Sequence, residues 1–478
     1  MGKGTKSLKG AALINAVGKY ITIILQLVVN AILSRILSAE DYGVIAVITV
    51  FSTFFISLSD MGFGAAIVQR KDLTKDDINR IFSCTFYIAA ILALIFSALS
   101  FPISVFYHNH SYIKLGGLLS ISLFFNALNM VPNGLMNKEK KFVRIAIRTI
   151  VAYLIASIVA VFLAFQGWRY YSIVIQTMMS SFIIFVWNYI ETKPHIDFSN
   201  CISSVKKVMN YSGFQFAFNM INYLSRNLDN LLIGKFMGDA ALGYYYKAYN
   251  LMLYPVNNLT GVISPVLHPL LSDYQNQKRI IYDKYMKVVK LLFLIASFIA
   301  PFCFLASEEI ISILYGSQWS DSTVCFKILS LAILPQMVGS SAGAIYQSLG
   351  KTKILFQNGL INTFITICAI IFGVVVGKNI VILSIAVSSA YIIHFFTVYY
   401  MLVQIAFEYS FVNFFKDLYK EFLIVFIMVI LTAVYPLRIT NIFVSSMVKG
   451  IYLGVSYVIL LWITKEHNVL LKMIRRSK

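Results

Sequence analysis

Residues 215–235 read QFAFNMINYLSRNLDNLLIGK, and the reading of this stretch decides the fold. At 1.5 Å per residue a helix of this length spans about 30 Å, the thickness of a bilayer core. Its polar residues Gln215, Asn219, Asn222, Arg226 and Asn230 recur at steps of 4, 3, 4 and 4, so they share one side of a 3.6-residue helix. The expectation is a membrane-spanning helix with one wet stripe. Residues 15–35, NAVGKYITIILQLVVNAILSR, repeat it: Asn15, Lys19, Thr22, Gln26 and Asn30 take the same phase 200 positions earlier. The pairing extends to Arg35 with Lys235 and Gly43 with Gly243, which marks an internal repeat. Polar residues are costly against lipid, so both stripes are expected to face protein or a water-filled cavity, most simply each other.

The composition agrees. Of 478 residues, 59% are hydrophobic and only 13% charged, where soluble domains carry about a quarter. The 40 Lys and Arg against 20 Asp and Glu would suggest nucleic acid in a soluble protein; in a membrane protein they first report topology. Five scattered cysteines show no redox or metal spacing, and no disulfide is expected. The basic start MGKGTKSLKG runs directly into a helix, so no cleavage is expected.

Apolar stretches place spans near 12–34, 42–66, 81–106, 113–136, 142–165, 168–190, 212–236, 241–268, 286–305, 323–349, 354–376, 380–403, 419–436 and 443–463. The expected fold is therefore all-α integral membrane, with 14 transmembrane helices. Two six-helix lobes form parallel repeats, 1–205 and 206–405, and 406–478 holds two C-terminal helices and a tail. With the N-terminus inside, alternate loops carry 29 Lys and Arg inside against 9 outside, leaving Lys19 and Arg226 for the membrane interior. Both termini are thus expected to be cytoplasmic, and the surplus charge needs no nucleic acid. The linkers 199–211 and 406–420 read either as interfacial amphipathic helices or as plain connectors.

No nucleotide-binding or nucleophile-elbow motif is present, and the pair His108 and His110 has no acid or cysteine beside it, so neither an enzyme nor a metal site is expected. The interior polar set remains. Lys19 and Arg226, surrounded by Asn15, Gln26, Asn30, Asn219, Asn222 and Asn230, have the chemistry to hold an anion and hydroxyl-rich groups. The competing reading makes the amides glue between helices. Asp229, three residues after Arg226, is either its neutralising partner or an ion-coupling carboxylate; Asp60 is the second coupling candidate.

The runs SAEDYGVIAV, SDMGFGAAIVQRKDLTKDDINRIF, GDAALGYYYKAYNL, LYGSQWSDS and YQSLGKTK carry a family likeness. Through them the chain resembles the polysaccharide transporters of the multidrug/oligosaccharidyl-lipid/polysaccharide exporter superfamily, the Wzx-type and teichuronic-acid-type flippases in particular. The resemblance implies a bacterial plasma-membrane protein that moves undecaprenyl-diphosphate-linked oligosaccharide from the inner to the outer leaflet by alternating access. It also implies a cationic cavity, in which Lys19 and Arg226 are the candidates for the diphosphate. No cofactor is expected beyond a coupling ion, H+ or Na+. Expected partners are the lipid-linked oligosaccharide, membrane lipid and the polysaccharide polymerase and chain-length proteins, with the chain itself a monomer. Two alternatives stay open, an exporter of organic cations from the same superfamily and a membrane glycan polymerase or ligase.

Overall fold

The computed structural model describes all residues except 1–3, 61–63, 65–66, 69, 71–72, 198–219, 221–222, 273, 276, 438 and 469–478; side chains of 4–16, 60, 261–266 and 268–270 are likewise outside the description. Among the described residues there is no strand. Eleven helices among these residues are long and apolar enough to cross a membrane, and they coincide with expected spans one to six, nine to twelve and fourteen. Expected span seven is described only from Met220 onward, and span eight lies on a helix Asp239–Ser272. Span thirteen is a helix of 15 residues, Tyr419–Ala433, shorter than the roughly 20 residues that crossing requires. The chain divides into two compact units, residues 1–243 and 244–478.

The first unit contains α1 (Gly4–Ile36), α2 (Ala39–Asp60), α3 (Lys75–Tyr107), α4 (Ser111–Leu128), α5 (Met130–Lys138), α6 (Phe142–Phe165), α7 (Tyr171–Thr192), α8 (Leu228–Phe236) and the first turn of α9 (Asp239–Ser272). Sequence signals set the helix starts. Ser38 N–H donates to Asp41 Oδ2 at 3.0 Å while Asp41 N–H donates to Ser38 Oγ at 3.2 Å, a reciprocal cap that opens α2. Thr74 and Asp77 do the same for α3. Small residues set the packing: Ala152, Ala156, Ala160 and Ala164 form the buried edge of α6, which lies against α7. On the opposite side Ile155, Ile158, Phe162 and Phe165 are exposed, as suits lipid.

Two glycines make the tightest approach in this unit. A Cβ on Gly43 would stand 1.9 Å from the Asp239 carbonyl oxygen, and one on Gly243 would stand 1.9 Å from the Ala39 carbonyl oxygen. The four residues are two pairs offset by 200, so the α2–α9 crossing is a pseudo-symmetric contact of the kind the repeat predicts. Exposure repeats at the same offset: Ile24 and Leu224 are exposed, as are Gln26 and Arg226, whereas Val29 and Asp229, Leu33 and Ile233, and Tyr42 and Leu242 are buried.

The second unit holds the rest of α9, α10 (Lys278–Leu305), α11 (Ser307–Leu314), α12 (Ser320–Leu329), α13 (Ile333–Gly339), α14 (Ala342–Ser348), α15 (Thr352–Ile371), α16 (Ile380–Tyr399), α17 (Phe411–Asp417), α18 (Tyr419–Ala433) and α19 (Ile442–Thr464). Expected span ten is a chain of short helices, 3-10 turns among them, from Ser317 to Ser348. α15 and α16 each continue into a π-helical turn, Phe372–Val376 and Tyr400–Ala406. The core is aromatic, with the Tyr285 and Tyr399 hydroxyls 3.0 Å apart and Tyr399 donating to the Val338 carbonyl at 2.9 Å. Ion pairs fasten the last helices: Lys449 to Glu309 at 2.5 Å, Lys290 to Glu421 at 3.4 Å and Lys420 to Glu466 at 3.5 Å. The linker 406–420 contains α17, whose Phe414 is buried while Phe411 and Phe415 pack on the same core; the linker 199–211 lies outside the described residues.

Gly43→Val and Gly243→Val force a side chain into a backbone carbonyl, so each is expected to lower the melting temperature of the purified protein by the equivalent of at least about 1–3 kcal/mol. Gly117→Ala, with nothing within 4 Å of its new methyl, is expected to leave it unchanged or raise it. Fluorescence-detected melting in detergent measures both.

Candidate functional site

α1 has two unlike exposed faces. At 100° per residue, Lys19 and Gln26 lie about 180° around the helix from the centre of the set Val17, Ile21, Ile24 and Val28. Members of both sets are exposed within the unit. Between them runs the edge packed on α6, where Gly18 allows the Ala146 side chain within 2.7 Å of where a Cβ would sit. An exposed apolar face on a spanning helix suits lipid, and an exposed face bearing an ammonium and an amide needs water or a polar ligand. Thr22, the stripe's central member, donates its hydroxyl to the Gly18 carbonyl at 2.9 Å and is satisfied by its own helix.

The other expected residues fall into three groups. Arg226 is exposed, like Gln26 at its equivalent position. Asn30 is half-buried and takes hydrogen bonds at Oδ1 from Ser34 at 3.4 Å and Tyr42 at 3.5 Å, so part of its capacity holds α1 to α2. Asn230 and Asp229 are buried, the Asn230 N–H donating to Asp229 Oδ1 at 2.8 Å. Asn219 and Asn222 lie outside the described residues; Asn15 and Asp60 lie on α1 and α2, but their side chains do too.

One expected contact is not made. No ion pair joins Arg226 to Asp229 among the described residues. The helix breaks at a turn on Asn227, between the four helical residues 223–226 and the start of α8, and the arginine stays exposed while the acid is buried. Tyr223, one turn before Arg226, anchors this segment by donating to the Val50 carbonyl at 2.8 Å.

Two cations that the loop count assigned to water are buried. Arg148, which the loop count placed at the cytoplasmic surface, is buried on α6 with the alanine stripe, about 9 Å into the helix. It donates to Asn133 Oδ1 at 3.3 Å and to Asn188 Oδ1, and Asn188 in turn donates to Asn129 Oδ1 at 2.7 Å. Lys247, placed outside by the same count, is buried on α9, its Nζ 4.6 Å from the Tyr315 ring centroid and 5.3 Å from that of Trp319. The sequence signal for Arg148 is its step of four from Ala152, Ala156, Ala160 and Ala164, which puts it on the packed edge of the helix. For Lys247 it is the aromatic run GYYYKAYNL, whose rings can accept a cation.

The chain matches, over residues 32–324, a family described as polysaccharide biosynthesis protein. The teichuronic acid biosynthesis protein TuaB of Bacillus subtilis (strain 168) is 22% identical over 356 residues, 74% of this chain and 73% of that protein. The lipopolysaccharide biosynthesis protein WzxC of Escherichia coli (strain K12) is 24% identical over 377 residues, 77% of this chain and 75% of that protein. Among solved structures, the lipid II flippase MurJ in an inward closed conformation shares the fold, with a TM-score of 0.74 over 96% of this chain and 100% of that one at 16% identity. Eleven helices among the described residues that are long and apolar enough to cross a membrane, with a fold shared over nearly the whole chain with MurJ, make this a multi-pass membrane protein.

The exposed stripe and the buried cluster should respond differently to substitution. Arg148→Met leaves the buried Asn188 oxygen and the half-buried Asn133 oxygen without their donor and is expected to cost about 1–3 kcal/mol of stability. Lys19→Met and Gln26→Leu are expected to stay within about 0.5 kcal/mol, as surface changes do. Melting of the three purified variants against the parent protein checks this.

Proposed function

Because the chain belongs to the polysaccharide biosynthesis protein family, we propose that it is a flippase that carries a lipid-linked oligosaccharide across the bacterial plasma membrane, from the inner to the outer leaflet. The observation that carries the reading is the pair of unlike exposed faces on α1: lipid suits one, and the other offers Lys19 and Gln26 to a polar, anionic cargo. Arg226, exposed at the repeat-related position to Gln26, supplies the second cation. A diphosphate linked to sugars matches that donor set, since a guanidinium and an ammonium bind phosphate oxygens and amides serve hydroxyls. Relatives named for teichuronic acid and lipopolysaccharide biosynthesis, and a fold shared with a lipid II flippase, support the same substrate class.

In this reading the full architecture is fourteen spans, two six-helix lobes, 1–205 and 206–405, followed by two C-terminal helices, with both termini cytoplasmic. The cargo is undecaprenyl-diphosphate-linked oligosaccharide, and the protein changes its sidedness without altering a bond, as a transporter rather than an enzyme. Asn15, Asn219, Asn222, Asn30 and Asn230 contribute amides around the two cations. An H+ or Na+ gradient drives the cycle, with Asp229 and Asp60 as coupling carboxylates. The flipped product passes to a polymerase and its chain-length partner, and the transporter works as a monomer without nucleic acid.

Reconstituted into liposomes with a lipid-diphosphate oligosaccharide, the parent protein is expected to expose cargo on the far leaflet. Lys19→Ala and Arg226→Ala are each expected to slow this by at least about tenfold, the scale of one charge-assisted hydrogen bond. Unchanged rates in the double variant would remove the two cations from the site; a parent protein inert toward every lipid-diphosphate saccharide would remove the function.

A further inference from the structure

Arg148 is a buried cation with no acid as partner among the described residues. Its Nη1 donates to two neutral amide oxygens, Asn133 Oδ1 at 3.3 Å on α5 and Asn188 Oδ1 on α7. Its Nε–H is buried and has no acceptor among the described residues. A guanidinium stays protonated in proteins, so this group does not shed its charge as a buried lysine or carboxyl can. Amide oxygens carry only a fraction of a charge, and burying a whole charge against them alone is costly. A buried polar atom left without a partner calls for a physical reason, and a bound ion is one of the few available.

The described acids of this region are engaged elsewhere. Glu191, one turn from Asn188 on α7, pairs with Arg144 and lies 3.7 Å from Lys141, and Glu139, just past α5, lies 2.7 Å from Lys141. On α3, which packs on α5, Asp77 caps the helix with Thr74 and Asp76 is exposed. The helices α4, α5 and α6 contain no Asp or Glu, and neither does α1, which packs on α6. One positive charge is therefore left to be matched inside the bundle.

The amides that hold the guanidinium are themselves held. Asn188 gives Oδ1 to Arg148 and donates from Nδ2 to Asn129 Oδ1 at 2.7 Å. Further along the same seam Asn126 Nδ2 donates to Ser181 Oγ at 2.8 Å, and the Ser181 and Ser122 hydroxyls are 2.9 Å apart, which ties α4 to α7. The guanidinium is thus fixed through Nη1, and its other edge, Nε with Nη2, is the one on which arginine holds an anion side-on. This place is not the stripe of Lys19. Ala146, two residues before Arg148, is what meets Gly18 of α1, and at 100° per residue Arg148 lies about 160° around α6 from it. With 5% of its surface exposed among packed helices, the arginine suits a compact monovalent ion better than a bulky oxyanion.

We propose that Arg148 holds a small monovalent anion of halide size on its Nε edge, as a structural part of the bundle formed by α4 to α7. The site does not depend on the flippase reading, since it lies apart from the cations assigned to the cargo. The test is melting of the purified full-length protein in sodium chloride against sodium gluconate at equal ionic strength. The parent protein is expected to melt at least about 2 °C higher in about 150 mM chloride. Asn188→Asp sets a fixed carboxylate against the guanidinium, keeps an acceptor for Nη1, and leaves Asn129 able to turn its amide and donate. This variant is expected to melt at one temperature in both salts, and above the parent in gluconate. Arg148→Met is expected to lose the chloride response, and the double variant Lys19→Ala/Arg226→Ala to keep it. Broadening of the chloride NMR resonance by the parent but not by Asn188→Asp reports the bound ion directly. A parent protein indifferent to chloride, as a carboxylate from Asp60 or Asp72 at the guanidinium would make it, overturns the proposal. So does a response that survives in Asn188→Asp or disappears with the two exposed cations. A chloride response in a protein that flips nothing would refute the flippase and support the site, and flipping without any chloride response would do the reverse.

Discussion

Two glycines 200 residues apart permit the contact on which the first unit depends. At the start of α2 and of α9, Gly43 lies under the Asp239 carbonyl and Gly243 under the Ala39 carbonyl, with no space for a methyl at either. Helices approach this closely only where a side chain is missing, and the gain is dense packing where hydrophobic burial gives little, since lipid is as apolar as a core. The same crossing fixes the register of α8 and of α2, which pack together, and so the phase in which Asn230 and Ile233 turn inward.

Charge placement follows a consistent logic. Acids buried in the second unit are paired, Glu309 with Lys449 and Glu421 with Lys290, because an unpaired ion in such surroundings is destabilising by several kcal/mol. Arg148 is handled differently, with neutral amides from two helices, and Lys247 with aromatic faces. Among the described residues Lys19 and Arg226 have neither kind of partner, and both are exposed. Exposed cations are the ones open to an anionic cargo, which is why the proposed cargo site uses them rather than the better-buried pair.

Much of this was legible in the sequence. Spans declared themselves by length and apolarity, and the repeat by an offset in which Gln26 and Arg226, Val29 and Asp229 keep the same exposure. What stayed hidden depended on partners distant in the chain. Counting lysines and arginines by loop assigns Arg148 to water, since nothing beside it in sequence announces Asn188. Helical spacing puts Asp229 within reach of Arg226, but the turn at Asn227 separates them.

The two copies of the stripe also show which positions hold the fold and which have been released from it. Where both copies are buried, Leu33 with Ile233 and Tyr42 with Leu242, the residues stay large and apolar, as packing requires. Where both are exposed, Gln26 has become Arg226 at no cost to packing, and a charge has appeared on one copy only. Asp229 fits neither rule. It occupies a buried position whose twin is Val29, and its carboxylate accepts the Asn230 N–H at 2.8 Å, which a valine could not do. An acid at a position that its twin fills with an apolar side chain marks a place where the two copies have diverged in chemistry while keeping the same burial.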